Sequence, residues 1–253
     1  MPGPATDRRR LMTLAAPAPP LPESDKRRYV RDMFTAIAPR YDFLNHFLSL
    51  GVDRSWRRWA VDALGWEARP DGRYLDGCAG TLDLAAELAG RPGFGGLVVG
   101  ADFSVAMLRL GCGKGLGGRI QAAAADHLEL PFRDGAFDGA TVGFGVRNFA
   151  DLGAGLAELH RVLRPGARVV ILEFTLPPAR AVRALYLLYF RWVLPLVGRM
   201  ISGHPTAYSY LPASVGAFPA PADLLARLSG AGFHECSHRL LTGGIAAIHW
   251  GTR

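Results

Sequence analysis

Cysteine is scarce in this sequence, since 253 residues contain only Cys78, Cys112 and Cys236, which lie far apart. Such a set gives neither a disulfide framework nor the closely spaced thiol pair of many zinc sites. Charged residues make up 20% of the chain and hydrophobic residues 49%, as in ordinary globular proteins. A disulfide-stabilised miniprotein and a wholly disordered chain are therefore excluded, and the expected compartment is the reducing cytoplasm.

Long hydrophobic runs are also lacking. The best membrane candidate, residues 184–201, is interrupted by charged and helix-breaking residues, namely Arg191, Pro195, Gly198 and Arg199. A spanning helix needs roughly 20 mostly apolar residues, so no span is predicted. Residues 1–24 hold six of the eighteen prolines, and their apolar run is too short for a signal peptide. We expect this segment to be a disordered tail.

The net charge of +7 is unevenly distributed. Residues 1–31 hold seven basic and three acidic side chains, so four of the seven excess positive charges lie there. The remainder is nearly neutral, whereas a nucleic-acid-binding surface needs a basic stripe across the folded domain. No nucleic-acid partner is therefore expected. A basic tail beside an anionic membrane face and a solvated tail that binds nothing both stay open.

From residue 73 onward, short buried-strand runs alternate with helical stretches, a pattern typical of a parallel sheet covered by helices on both faces. Strands are predicted near 73–78, 97–102, 119–123, 137–143, 167–174, 233–241 and 245–251. Helices are predicted over 26–65, 82–90, 104–113, 152–163 and 221–230, with Arg164, Pro165 and Gly166 closing the fourth. Residues 178–215 form a helical insertion after strand five. The sequence thus predicts an α/β fold with a seven-stranded, mostly parallel sheet.

Acidic and small residues follow the first three predicted strands. The run DGCAGTLD at 76–83 has small residues that let a ligand approach the backbone just before a helix begins. Asp102 follows the second strand, where a carboxylate suits a ribose diol. Asp126 and His127 follow the third, near the expected purine edge, and Phe103 offers an apolar contact to the ring. Together these features are typical of a nucleoside-containing cofactor.

The sequence does not match two other kinds of nucleotide-binding site, the dinucleotide fingerprint and the phosphate-binding loop. Taken singly, a glycine-rich turn is often structural, and an aspartate at a strand end often caps a helix. The dinucleotide fingerprint GxGxxG is missing from residues 76–83. The run GCGKG at 111–115 is no phosphate-binding loop, because Lys114 precedes glycine rather than serine or threonine. Dehydrogenase and NTPase functions are therefore excluded.

Several stretches resemble the class I S-adenosylmethionine-dependent methyltransferases, namely residues 76–83, Asp102, LPFRDGAFD at 130–138 and LRPG at 163–166. Three more narrow the resemblance: MFTAIAPRYDFLN at 33–45, GFGVRN at 143–148 and LEF at 172–174. These are similar to the ubiquinone/menaquinone biosynthesis C-methyltransferases, and the similarity runs from about Tyr29 through TGG at 242–244 to the end. The resemblance implies a Rossmann-like class I methyltransferase fold.

The resemblance also implies a reaction. S-adenosyl-L-methionine would methylate a ring carbon of a polyprenylated quinol, either demethylmenaquinol or its ubiquinone-pathway equivalent, with no metal. Cofactor contacts are expected from Asp76, Gly80, Thr81, Asp102, Phe103, Asp126, His127 and Gly143. Catalytic contacts are expected from Arg147, Asn148 and Tyr41. Arg147 stays protonated and so cannot be the base; a structural ion pair for Arg147 and core packing for Tyr41 are the alternatives.

By the same resemblance, residues 25–253 form one domain. It comprises N-terminal helices at 25–70, a cofactor-binding core at 71–176, a helical substrate cover at 177–215 and a C-terminal helix and strand pair at 216–253. The cover's apolar and aromatic stretch, 186–194, would guide an isoprenoid tail, although ordinary helix packing explains it equally. Peripheral contact with the inner face of the membrane and a homodimer contact both stay open.

Two departures from the family pattern bear on function. Leu82 stands where the family usually has glycine, and this bulky side chain would tilt outward, tighten the cofactor site or block it. The acidic residue before the Tyr208-Ser209-Tyr210 motif is also missing, and Ala213-Ser214 replaces a Glu-Ser pair. A methyltransferase for another lipophilic acceptor and a catalytically silent scaffold are therefore the alternative functions.

Overall fold

The computed structural model describes residues 23–40, 49, 51–114, 118–193 and 207–253, and a seven-stranded sheet forms the centre of this part of the chain. The strands are β1 (Arg73–Gly77), β2 (Leu97–Asp102), β3 (Ile120–Ala124), β4 (Phe137–Gly143), β5 (Leu163–Phe174), β6 (His234–Leu241) and β7 (Ala246–Thr252). Their order is β3-β2-β1-β4-β5-β7-β6. The first four pairings are parallel, and β7 runs antiparallel to both of its neighbours. The predicted seven-stranded, mostly parallel sheet is confirmed.

The described helices are α1 (Glu23–Ile37), α2 (Val52–Leu64), α3 (Asp83–Ala89), α4 (Val105–Gly111), α5 (Leu152–Val162), α6 (Arg180–Leu188), α7 (Ala207–Ala217) and α8 (Pro221–Gly230). A π-helical turn, Tyr189–Val193, extends α6, and short 3-10 turns include Val146–Asn148 and Thr242–Gly244. Within the described residues, no helix is long and apolar enough to cross a bilayer. Residues 1–22 of the predicted tail, 1–24, lie outside the described residues, and its last two residues begin α1.

Alternation along the central strands divides the core between two faces of the sheet. In β5, Val170 and Leu172 join the cluster formed with α2 and α3, whereas Val169 and Ile171 join the cluster formed with α5 and α8. Successive strand side chains point to opposite faces, so a strand buried on both sides reads as a continuous apolar run. The predicted helices on both faces are therefore confirmed.

A third apolar cluster lies beside the sheet and joins α1, α6 and α7. Its buried members are Met33, Tyr186, Phe190 and Val215. Partly buried residues that pack against it include Tyr29, Phe34, Phe174 and Tyr210. We call this cluster the aromatic compartment. Three of its buried members, Tyr186, Phe190 and Val215, belong to the insertion that follows β5.

One predicted boundary is wrong. The helix ends just before Arg164, Pro165 and Gly166 as predicted, at Val162, but β5 begins at Leu163 instead of at the predicted residue 167, so these three residues lie within a strand. The pairing with β4 shifts register between Phe137 and Gly139, which marks a bulge, and Gly166 takes a φ of +79° there. Glycine reaches that conformation without the steric cost of a side chain, so the Pro-Gly pair bends a strand.

Candidate active site

The carboxyl ends of the parallel strands border an open cleft, the place where doubly wound sheets bind their ligands. Its wall contains six of the predicted cofactor residues, namely Gly80, Asp102, Phe103, Asp126, His127 and Gly143, and one predicted catalytic residue, Asn148. Helix α1 forms the opposite wall with Arg27, Val30 and Phe34. The loop after β4 completes the wall with Phe144, Gly145, Phe149 and Ala150. The predicted turns thus meet at one cleft.

Three of the five described non-glycine residues with a positive φ lie in the two turns beside this cleft, and the other two are Glu235 and Thr242. Cys78, Leu82 and Phe144 have φ values of +52°, +65° and +55°, a left-handed conformation that side chains with a Cβ adopt at a cost. Cys78 and Phe144 line the cleft, and Leu82 lies in the turn after β1. Residues held in such conformations cluster at active sites and ligand clamps, where the surrounding fold must enforce them. The strain therefore supports the assignment of this cleft as the functional site.

The Leu82 side chain points away from the cleft. It is 2% exposed and belongs to the core cluster with α2 and α3. A methyl group added at Gly100 of β2 would collide with Leu82 Cδ2, and one added at Gly111 of α4 would lie 2.8 Å from Leu82 Cγ. Two glycines therefore make the space that Leu82 fills. This departure from the family pattern therefore leaves the cleft open.

Asp102 joins the ends of β1 and β2. Its Oδ2 accepts a hydrogen bond from the Gly80 N–H at 2.9 Å, and its Oδ1 accepts one from the Ser104 N–H at 2.8 Å. Burial raises the pKa of Asp102 to about 6, although both hydrogen bonds favour the ionised form. The carboxylate is thus fixed at the cleft wall, in the position expected for a group that binds a ribose diol.

His127 forms a hydrogen bond with the backbone of the turn after β1. Its Nε2 accepts a hydrogen bond from the Cys78 N–H at 2.7 Å, and its ring stacks on Phe149 with centroids 5.7 Å apart. Burial lowers the pKa of His127 to about 4, so the imidazole is neutral near pH 7. His127 borders the cleft and also holds the strained Cys78 in place. Its predicted contact with a purine stays a prediction.

Asp126, which precedes His127 in the chain, is more exposed than His127. Its Oδ1 accepts a hydrogen bond from the Leu128 N–H at 2.9 Å, and its Oδ2 lies 3.1 Å from Arg27 Nη1 of α1. Both side chains of this ion pair are roughly half exposed. Lys26 Nζ donates to the Phe149 carbonyl, and Thr35 Oγ1 lies 3.1 Å from Ser104 Oγ. Helix α1 is therefore attached across the cleft by polar contacts.

Two predicted cofactor residues, Asp76 and Thr81, do not line this cleft within the described chain. Asp76 is buried, and its carboxylate accepts hydrogen bonds from the Ala85 N–H at 2.9 Å and from Thr141 Oγ1 at 3.2 Å. Burial raises the pKa of Asp76 to about 7. Thr81 is also buried, beneath the turn and against Gly111. Their contact with a cofactor stays a prediction.

Arg147 lies beside the cleft rather than in its wall. Its Nη1 donates to Glu173 Oε1 at 2.7 Å and to the Phe144 carbonyl, and its backbone N–H donates to Glu173 Oε2 at 3.3 Å. Its guanidinium carbon lies 5.6 Å from the ring centroid of Phe174. Burial raises the pKa of Glu173, and the nearby Arg147 charge opposes that shift. The ion pair therefore faces the aromatic compartment.

Asn148 connects the cleft to that compartment. It lines the cleft, and its Oδ1 accepts a hydrogen bond from Tyr210 Oη at 2.9 Å. Tyr210 packs against the aromatic compartment and lies 5.9 Å from Tyr29, centroid to centroid. Burial raises the pKa of Tyr210 to about 12, so its hydroxyl stays protonated. The predicted catalytic residue Tyr41 lies outside the described residues.

Sequence reasoning missed several residues of this site. Glu173 was read only as part of the LEF motif, although a carboxylate in an otherwise apolar strand signals a buried partner. Tyr210 was read only as part of a motif. The α1 residues Arg27 and Val30 carried no signal, because a helix wall is set by tertiary packing. In the described residues, no cluster of three or more His, Cys, Asp or Glu side chains is placed to hold a metal ion.

Sequence comparison finds close relatives over most of the chain. Residues 23–253 match the ubiE/COQ5 methyltransferase family. The chain is 52% identical over 223 residues to a Thermus thermophilus protein named demethylmenaquinone methyltransferase, a match that covers 87% of this chain and 100% of that protein. It is 44% identical over 234 residues to a Geotalea daltonii protein named ubiquinone/menaquinone biosynthesis C-methyltransferase UbiE, covering 91% and 98%.

Structural comparison finds the same architecture in more distant proteins. A Thermotoga maritima protein described as a SAM-dependent methyltransferase, possible histamine N-methyltransferase, matches with a TM-score of 0.62 at 16% identity, over 88% of this chain and 98% of that one. The YcgJ protein of Bacillus subtilis matches with a TM-score of 0.55 at 14% identity, over 79% and 98%. At these identities the likeness shows the fold alone.

Proposed function

This chain belongs to the ubiE/COQ5 methyltransferase family, and on that basis we propose that it methylates a ring carbon of demethylmenaquinol. It is an S-adenosylmethionine-dependent C-methyltransferase acting on a quinone precursor. The 52% identical relative named for demethylmenaquinone favours a naphthoquinol ring over a benzoquinol ring. The structural observation that carries the proposal is the junction at Asn148, where a cleft bordered by Asp102 meets a compartment bordered by Arg147 and Glu173.

The cleft suits the cofactor in shape and chemistry. Asp102 presents a fixed carboxylate for a ribose diol, and Phe103 offers an apolar ring beside it. A Cβ at Gly143 would lie 2.6 Å from Leu84 Cδ1, and one at Gly145 would collide with Cys78 Cβ. These glycines let the loop after β4 pack directly on its neighbours, so bare backbone borders the cleft. When bound, S-adenosylmethionine supplies an electrophilic methyl group on a positively charged sulfur.

The acceptor would enter from the aromatic compartment. Phe144 and Phe174 lie 4.6 Å apart, centroid to centroid, and Trp56 packs edge-on against Phe174 at 6.1 Å. Aromatic side chains at these distances pack against one another and offer apolar ring surface to a fused ring. Phe144 also lines the cofactor cleft, so this surface extends from one binding region to the other. We propose that this surface orients the quinol ring.

We assign to Arg147 the stabilisation of negative charge on the acceptor ring. Its guanidinium stays protonated at ordinary pH, and Glu173 together with the Phe144 carbonyl fixes its position. The ring hydroxyl next to the reacting carbon loses its proton to solvent, and a fixed cation in a water-poor site stabilises the negative charge left on that oxygen. The ring carbon then bonds to the methyl group as the carbon–sulfur bond breaks, and the hydrogen that this carbon carried leaves as a proton to solvent. Asn148, held by Tyr210, orients the ring across the junction. Alignment of the two reactants supplies the remainder of the rate enhancement.

We further propose that α6 and its π-helical extension touch an anionic membrane surface where the prenylated acceptor resides. Leu185, Leu188 and Trp192 are more than half exposed, and Arg180 and Arg183 flank them. Exposed apolar and aromatic residues beside arginines are typical of an interfacial helix. Binding to vesicles that contain phosphatidylglycerol, lost in Leu185→Glu, would support this contact. A second copy of the chain on this face would instead give a concentration-dependent dimer that Leu185→Glu dissociates.

A methyl-transfer assay tests the proposed function. The purified protein is incubated with methyl-labelled S-adenosylmethionine and demethylmenaquinone held reduced by dithionite. Label is expected in menaquinol, and none is expected with the oxidised quinone, because its electron-poor ring is a weak nucleophile. Preferred transfer to a demethylated benzoquinol would instead assign the ubiquinone-pathway substrate. Binding of S-adenosylmethionine without transfer to either ring would contradict the proposal.

A further inference from the structure

Tyr186 of α6 carries a buried hydroxyl that the fold leaves unsatisfied. The residue is only 6% exposed, and its Oη has no hydrogen-bond partner in the described parts of the chain. Its ring lies 4.2 Å from that of Phe190, centroid to centroid, inside the aromatic compartment. Buried hydroxyls are almost always paired, because a lone one loses its hydrogen bonds to water without replacement. An exception of this kind requires an explanation.

Charged groups of the proposed active site act on this hydroxyl. Burial raises the pKa of Tyr186, Arg147 lowers it and Glu173 raises it. The hydroxyl is therefore protonated at neutral pH and able to donate a hydrogen bond. The same two charged residues act on Tyr210, whose hydroxyl is already bonded to Asn148. Of the two tyrosines on which the ion pair acts, Tyr186 is the one whose hydroxyl has no hydrogen-bond acceptor among the described contacts.

The compartment that holds Tyr186 adjoins the cofactor cleft. Phe34 packs against the compartment and also lines the cleft. Phe174, which packs against the compartment, lies under the Arg147 guanidinium. Phe174 therefore connects the Arg147 guanidinium with the compartment that contains Tyr186.

We propose that Tyr186 is a further substrate-binding residue, whose hydroxyl pairs with the quinol oxygen remote from the methylated carbon. This inference rests on the proposed function. A quinol has two ring oxygens in para positions, and only the one adjacent to the reacting carbon develops negative charge. Arg147 stabilises the charge on that adjacent oxygen, and Tyr186 donates a hydrogen bond to the other oxygen. The pairing satisfies two buried polar groups at once, so the enzyme selects a dihydroxy ring over a monohydroxy ring.

The test compares two acceptors in two tyrosine variants. One acceptor is the reduced prenylated quinol, and the other is a prenylated naphthol that lacks the remote hydroxyl but keeps the activating one. Wild-type protein should favour the quinol by at least about tenfold in kcat/KM. In Tyr186→Phe this preference should fall to within about twofold, through loss of activity on the quinol. The Kd for S-adenosylmethionine should not change.

Tyr74→Phe is the matched control. Tyr74 is also buried, but its hydroxyl donates to the Trp66 and Arg69 carbonyls, remote from the cleft lining. Tyr74→Phe should lower the melting temperature and leave the acceptor preference unchanged. Tyr186→Phe should raise the melting temperature, because it removes an unsatisfied hydroxyl.

The outcomes separate the two proposals. If wild-type protein methylates neither acceptor, the proposed function fails. If wild-type protein methylates the quinol while Tyr186→Phe keeps the full preference, or loses activity equally on both acceptors, the role of Tyr186 is overturned. A lower melting temperature in Tyr186→Phe would show that the hydroxyl already has a partner within the chain, and would also overturn it.

Discussion

The Arg147 guanidinium donates to the Glu173 carboxylate at 2.7 Å, and the two side chains are 6% and 0% exposed. The pair joins the loop after β4 to the end of β5, the region where the cofactor cleft meets the aromatic compartment. A buried charge without its partner is strongly unfavourable, so each residue fixes the other. The two interpretations of Arg147, ion-pair partner and catalytic residue, are thus compatible, since the ion pair is what orients the cation.

Glu173→Gln should impair both stability and turnover. Removing one partner of a buried ion pair costs about 3–5 kcal/mol, because the remaining charge is left uncompensated. Turnover should fall at least about tenfold, since Arg147 is no longer fixed. The Kd for S-adenosylmethionine should change little, because Glu173 does not line the cleft. Chemical denaturation, steady-state kinetics and calorimetry measure the three effects.

Asp134→Asn is the control for this substitution. Asp134 also pairs with an arginine, Arg161, at 2.7 Å, but its side chain is 74% exposed. An exposed pair contributes at most about 1 kcal/mol and has no part in the site. Equal losses of activity in Glu173→Gln and Asp134→Asn would contradict the assigned role of Glu173.

Cofactor affinity should depend on the ionisation of Asp102. Burial raises the pKa of Asp102 to about 6, and only the ionised carboxylate accepts hydrogen bonds from both hydroxyls of a ribose diol. Affinity for S-adenosylmethionine should therefore rise with pH through 6 and level off above it, being about tenfold weaker at pH 5 than at pH 8. Calorimetry across this range measures the effect.

Asp102→Asn should bind more weakly at every pH and without that transition. A residual transition near pH 7 in this variant would belong to Asp76, whose pKa burial raises to about 7. An unchanged transition near pH 6 in Asp102→Asn would show that another group controls binding.

Stability should decline with rising pH on account of Asp76. Its pKa in the folded chain, about 7, lies above the ordinary value of 3.8, so the folded state binds the proton more tightly than the unfolded state. The protonated Asp76 carboxyl therefore makes its full contribution to the free energy of unfolding below pH 4. That contribution is lost as the pH rises to 7. Wild-type protein should lose about 2–4 kcal/mol relative to Asp76→Asn across this window. Urea denaturation of both proteins checks the difference, and parallel curves would contradict it.

Leu82 and Gly100 should behave as a coupled pair. Gly100→Ala should destabilise the protein by about 1–3 kcal/mol, because the new methyl group collides with Leu82 Cδ2. Leu82→Ala should cost about 2–4 kcal/mol through the cavity it leaves. The double variant should be more stable than the sum of the two losses predicts, since each change makes room for the other. Additive losses would contradict the packing.

The same variants show whether Leu82 belongs to the cofactor site. Its side chain points into the core, so the Kd for S-adenosylmethionine in Leu82→Ala should stay within about threefold of the wild-type value. A much larger change in this Kd would indicate that the Leu82 side chain contacts the cofactor.

Much of the fold was predictable because hydrophobic periodicity reports burial directly. The seven strand positions agree with the sequence pattern to within a few residues, apart from the start of β5. That start was missed because Pro165 and Gly166 are typical of a loop, and only pairing with β4 reveals a bulged strand. The conformation of Leu82 was open for the same reason, since Gly100 and Gly111 create its space from other elements.

The site was predictable where chemistry follows strand ends and was not where it depends on packing between distant elements. Asp102, Phe103 and His127 line one cleft because β2 and β3 are parallel neighbours. The sequence placed Glu173 only in the LEF motif and Tyr186 only in the apolar stretch 186–194, because no spacing rule connects either residue to Arg147. Their roles become visible only when burial, charge and unmet hydrogen bonds are known together.

The position of the transferred methyl group tests the central claim most directly. Nuclear magnetic resonance of the product made from isotopically labelled S-adenosylmethionine and reduced demethylmenaquinone distinguishes a methyl group on a ring carbon from one on a ring oxygen. We predict that all of the label resonates as a ring-bound C-methyl group. Label in a methoxy group, or labelled donor recovered intact after incubation of folded protein with both reactants, would contradict the account.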